Sequence, residues 1–202
     1  MMNREERSMK FVSGLIVGLL ILPLAVFFYF RFGHPPVAVA DHPFPFEKQI
    51  VHVPLHARIA REMPGPAPIA ITPENLYAGA EIYREQCAAC HGVMGHNSDF
   101  AAHMYPHAPQ LWVPHPWNKS VVGVSDDPAG VTYWKVANGI RLTGMPSFDK
   151  VLSPEQMWQV SLLLSKANTP LPPAVEQILH QPLDFSATPA AVAAPVPAPR
   201  KK

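Results

Sequence analysis

Three segments of the chain carry a sustained apolar pattern, and proline-rich stretches separate them. The first, Phe11 to Phe30, contains no charged residue, and only Ser13, Gly14, Gly18 and Pro23 interrupt its larger apolar side chains. Its length matches the roughly 20 residues with which a helix crosses a bilayer. The second spans residues 73 to 86, where Leu76, Tyr77, Ala80 and Tyr83 recur at helical spacing. Thr72-Pro73-Glu74 precede it as N-cap, first-turn proline and early carboxylate, so a helix is expected there. The third starts at Ser153-Pro154-Glu155-Gln156, where Ser153 and Gln156 have capping-box spacing, and runs through Met157, Val160, Leu163 and Leu164 to about Ala167. A shorter helix is expected at about residues 129 to 137.

The remaining chain shows neither a helical nor an alternating period. Its 25 prolines gather between about 35 and 73, 106 and 128, and 170 and 198, where they preclude long regular structure. The pattern divides the chain into a cytoplasmic N-terminal segment at 1–10, a transmembrane helix at 11–31 and a proline-rich spacer at 32–71. A globular domain at 72–168 and a Pro/Ala-rich tail at 169–202, largely disordered, complete it. Within the spacer only a helical turn at Leu55 to Glu62 is expected, and within the tail a short amphipathic stretch around Val175 to Leu179.

Charge sets the orientation of the first segment. Arg4, Arg7 and Lys10 precede the apolar run, whereas only Arg31 follows it before Lys48, so the N-terminus is expected in the cytoplasm and the domain on the periplasmic side. Ala38-Val39-Ala40 has the small-x-small spacing of a signal-peptide cleavage site, and cleavage after Ala40 is the rival reading. Both readings export the domain. The net charge of +1, from 16 Lys+Arg against 15 Asp+Glu, provides no field to gather nucleic acid.

Cys87 and Cys90 are the only cysteines, which excludes a disulfide framework and a four-thiolate zinc site. With His91 they form Cys87-Ala88-Ala89-Cys90-His91, the attachment pattern of a c-type haem. Two thiols so spaced add to the porphyrin vinyl groups, and the next histidine becomes the proximal iron ligand. A Cys-x-x-Cys thiol redox pair, half of an intermolecular metal site, and two packed thiols followed by an incidental histidine are the competing readings. The first would need flanking strands of thioredoxin type, which the sequence lacks.

Several side chains could supply the sixth ligand. Met94 follows His91 too closely, and Met157 lies on the apolar face of the last helix. Met145, in Gly144-Met145-Pro146, sits where glycine and proline break regular structure and present a thioether from a loop. His96, His103, His107 and His115 offer bis-histidine ligation or adventitious metal binding instead. Trp112, Trp117 and Trp134 could donate to a haem propionate or simply pack, and Arg141 and Lys119 could neutralise one or remain solvated.

Residues 73 to 167 resemble the class I cytochrome c domains, especially the membrane-bound monohaem ones of bacteria. Besides the haem motif and Gly92, Ala108-Pro109-Gln110-Leu111 is similar to the family's Pro-x-Leu segment. Val136 to Ile140 followed by Thr143-Gly144-Met145-Pro146-Ser147-Phe148 is similar to its distal loop. Gly79 and Tyr83 fit the family's contact between first and last helices, whereas leucine stands at 162 and 163 where an aromatic residue is common.

The resemblance implies an all-α fold, with three or four helices around one haem c held by Cys87 and Cys90. It further implies that His91 and Met145 ligate the iron and that the Pro109 carbonyl accepts the proximal imidazole N–H. The activity implied is single-electron transfer without catalysis, with membrane redox complexes as donor and acceptor and neither a small-molecule substrate nor nucleic acid. A cytochrome subunit of a larger oxidoreductase and a haem-based gas sensor are the alternatives within the same chemistry.

Overall fold

Every regular element in the computed structural model is helical, among the described residues 4–183. The expected all-α class therefore holds; only two isolated bridges, Val93 with His96 and Pro114 with Val122, resemble sheet pairing. Of the 169–202 tail expected to be largely disordered, residues 184–202, with Arg200-Lys201-Lys202, lie outside the described residues. The chain divides into two units, one ending at Val51 and the other beginning at His52.

In the first unit, α1 (Arg4–Phe32) continues through Pro23. Its large apolar side chains are exposed on all sides, so no single face defines a protein-facing stripe. Ser8–Phe32 is long and apolar enough to cross a membrane, with a mean hydropathy of 2.6 over its most apolar window. Beyond it the Asp41 carboxylate accepts hydrogen bonds from the N–H groups of Val37 and Ala38, each at 2.8 Å, and so closes a turn around Ala38-Val39-Ala40.

Where an extended spacer is expected, the structure has a helix, α2 (Glu47–Glu62). Pro54 within it argues against helix in the sequence, since it removes one backbone bond and crowds the preceding turn. Fixed contacts at its C-terminal end offset that cost. Ile59 is buried, Arg58 and Glu62 pair one turn apart at 2.9 Å, and the Trp134 indole donates to Glu62 at 3.1 Å. These contacts involve a residue far away in sequence, which local pattern does not reveal.

The second unit is built on α3 (Pro73–Gln86) and α6 (Pro154–Ser165), which start where their caps are expected. Thr72 Oγ1 accepts from Asn75 N at 3.2 Å, and both halves of the Ser153/Gln156 capping box are present. The helices meet at Gly79, where a Cβ would collide with the backbone carbonyl of Gln159. α5 (Ala129–Asn138) packs on α6, with Tyr133 stacked on Trp158 at 4.4 Å between ring centroids.

α7 (Pro173–His180) lies past the domain boundary expected at 168, yet it packs on α3 with Val175 and Leu179 fully buried. The Arg84 guanidinium donates to the carbonyls of Ile178, Gln181 and Pro182 and satisfies the end of this helix. The globular unit therefore continues beyond α6.

Candidate functional site

The attachment motif folds as the immediate continuation of α3. Cys87 caps that helix and opens α4 (Ala88–His91), a single turn closed by Cys90 N and His91 N donating to Cys87 O at 3.1 and 3.0 Å. Side chains one turn apart share a face, so the turn sets both thiols on one side. Gly92 then leaves the helix at φ 73°, in the left-handed region, where a Cβ would press on His96 O and Gln110 Oε1. A side chain at 92 would prevent the chain from turning away directly after His91.

Two loop segments fix the histidine. Its Nδ1 lies 2.7 Å from Pro109 O, so Nδ1 carries the proton and donates, leaving the Nε2 lone pair free. Burial holds the His91 pKa below the usual histidine value, against the upward pull of the Pro109 carbonyl, and favours the neutral, ligating form. Leu111 N donates to His91 O at 3.2 Å. From the other side the buried Tyr83 hydroxyl donates to Gly92 O at 2.7 Å and lies 3.2 Å from His91 O.

Gln110, between Pro109 and Leu111, stitches these pieces together. Its amide donates to Cys90 O and Ala108 O, and its Oε1 accepts from Ser98 N at 2.7 Å. The sequence marks position 110 only as the variable member of Pro-x-Leu, so this role is visible only in the fold.

Burial pushes the Cys87 thiol up to about 12, and the neighbouring Cys90 adds to the shift. Thiol exchange needs a depressed pKa to supply thiolate, so the direction is opposite to that of a redox Cys-x-x-Cys pair. Both cysteines are free and partly buried.

Met145 is presented by a self-tied loop. Ile140 N donates to Met145 O at 3.2 Å, while the Thr143 hydroxyl donates to Ile140 O at 2.7 Å and accepts from Met145 N at 3.1 Å. Gly139 enters the loop at φ 65°, packed so closely on Met145 O and Ser147 N that a Cβ would clash. Cys87, Cys90, His91 and Pro109 are thus joined through direct bonds, whereas Met145 reaches the same hydrophobic core as Cys87 without bonding to that group.

The other candidates are dispersed. Met157 is buried within the core and Met94 packs against it. His96, His103 and His107 are exposed, and His115 stacks near Trp117 at 4.8 Å. Among the described residues no three His, Cys, Asp or Glu side chains gather into a metal-binding group. Trp134 donates to Glu62, and Trp117 is 80% exposed. Trp112 is buried edge-on to Tyr83, and although its Nε1 makes no well-formed hydrogen bond among the described residues, the indole acts on the Tyr83 hydroxyl and draws its pKa down against the effect of burial.

Two thiols on one helical turn, a neutral imidazole oriented by Pro109 and a loop-borne thioether fit a c-type haem. Comparison with known proteins agrees with the fit: residues 74–162 match the family model described as cytochrome C oxidase, cbb3-type, subunit III. No curated protein and no solved structure matches the chain. The matched segment contains the attachment turn, Pro109 and Met145, and excludes α1, α2 and α7.

Proposed function

Residues 74–162 being a class I c-type cytochrome domain, we propose that the protein is a single-electron carrier tethered to the outer face of a membrane by α1. Cys87 and Cys90 would hold the porphyrin as thioethers, and His91 Nε2 and Met145 Sδ would ligate its iron. Bound there, the haem iron supplies a one-electron Fe(II)/Fe(III) couple, and no substrate bond is made or broken.

The chain's own residues tune that couple. The Pro109 carbonyl keeps the His91 proton on Nδ1 and raises the basicity of Nε2. The Met145 thioether favours the ferrous state and raises the potential relative to a second histidine. Donor and acceptor would be membrane redox complexes, met through small transient contacts. Tethering would confine the search for them and raise their effective concentration. The description of the matched family favours a second arrangement, in which the same domain serves as a cytochrome subunit of a larger oxidoreductase.

The observation that carries the reading is the 2.7 Å contact of His91 Nδ1 with Pro109 O, made from a turn that also carries both thiols. Expression with haem-maturation machinery, followed by intact mass and absorption spectra, tests it. The expected result is one haem added covalently, and the weak long-wavelength band of a sulfur-ligated ferric haem, lost in Met145→His. A chain without covalent haem would contradict the reading.

A further inference from the structure

We propose that Met104 is a positioning residue that holds the Met145 loop in its ligating place by seating its thioether methyl on Gly144. This rests on the reading of Met145 as an iron ligand. Met104 Cε occupies the space that a Cβ on Gly144 would take, with Sδ 3.9 Å from that point. Apart from the chain neighbours of Gly144, no other atom comes within 4 Å of it among the described residues. The remaining ties of the loop beside Met145, through Ile140 and Thr143, are internal to the loop. Met104 is therefore the external contact at the residue directly before the ligand.

Met104 is itself anchored to the attachment turn. It follows a 3-10 turn, Phe100–His103, and its N–H donates to Ala101 O at 3.3 Å. Ala101 is buried, and its N–H donates to Ser98 Oγ at 3.2 Å. Ser98 in turn donates to Ala89 O, between the two cysteines, and its N–H is held by Gln110. A short path of contacts thus runs from the haem-attachment turn to the backbone next to Met145. An unbranched thioether suits the last step, because it fits an irregular gap without a fixed shape.

The geometry suggests a compensating swap. Gly144 is not among the residues with positive φ, so its backbone accepts alanine and only Met104 obstructs the added methyl. The probe is imidazole binding to the ferric, full-length holoprotein, since imidazole competes with Met145 for the iron. Met104→Ala is expected to tighten imidazole binding by about tenfold, the scale of a lost methyl-sized packing contact. Gly144→Ala alone is expected to do the same through the clash. Met104→Leu, branched and one bond short of Cε, should lie between wild type and Met104→Ala. The double variant Met104→Ala/Gly144→Ala should return toward wild type, because the methyl added at position 144 fills the space that Met104 vacates. Strong non-additivity is the signature of direct contact.

Unchanged affinity in Met104→Ala, or additive effects in the double variant, would overturn the proposal while leaving Met145 as ligand. A wild-type holoprotein lacking the sulfur-to-iron band would remove Met145 as ligand and this proposal with it. If Met104→Ala fails to load haem, the comparison of Gly144→Ala with the double variant decides: rescue supports the contact and its absence refutes it.

Discussion

Tyr83 illustrates how one side chain serves both packing and site. Its ring is fully buried in the core beside Trp112, and its hydroxyl reaches the carbonyls at the end of the attachment turn. Burial raises its pKa well above the usual tyrosine range, so the hydroxyl keeps its proton as a donor at any physiological pH. Tyr83→Phe preserves the ring and removes the donor. The expected cost is about 1–3 kcal/mol, that of leaving a buried acceptor unsatisfied, read as a lower denaturant midpoint of the holoprotein with unchanged slope. An unchanged midpoint would mean that water or another donor replaces the hydroxyl. At this scale the candidate residues were legible, because Cys87, Cys90, His91 and the Pro109 and Met145 segments lie in short local motifs. The hydroxyl of Tyr83, the amide of Gln110 and the Met104 methyl were not, since each acts on residues that only folding brings near.

Among the elements, α3 and α6 were legible because each has a strong N-cap and an apolar face of ordinary length. α2 and α7 were not. Pro54 and the surrounding prolines hide α2, and α7 is only two turns long, so its burial against α3 rather than propensity sustains it. The attachment of α2 through Glu62 leads to a pH prediction. The Arg58 hydrogen bond, foremost, and that of Trp134 hold the Glu62 carboxyl below the usual glutamate range. A carboxylate so lowered favours the folded arrangement above its unfolded pKa, and the contribution is lost as pH falls through the lowered, folded value. The Trp134 indole N–H resonance should therefore stay fixed from neutral pH down through the ordinary glutamate range and shift only below it. In Glu62→Gln that acid transition should vanish. A shift centred at or above the ordinary glutamate value would show that the Arg58 and Trp134 bonds do not form.

For the molecule as a whole, the apolar α1 and the Cys87-to-His91 motif were both evident in the sequence, whereas the full helix α2 that follows α1 was not. A helix stands in the stretch read as an extended spacer, so over α2 the chain advances about 1.5 Å per residue, less than half its fully extended rise. If α1 is a retained anchor, the haem-bearing protein should sediment with membranes, resist extraction by salt and dissolve only in detergent. Soluble haem protein beginning at Asp41 would instead establish cleavage after Ala40. The most direct test of the central claim is a potentiometric titration of the full-length holoprotein, followed through its haem absorption, for wild type and Met145→His. A single one-electron transition at positive potential is expected, falling when the thioether becomes an imidazole. A wild-type protein without a haem transition, or with one that the substitution leaves in place, would contradict a His91/Met145 electron carrier.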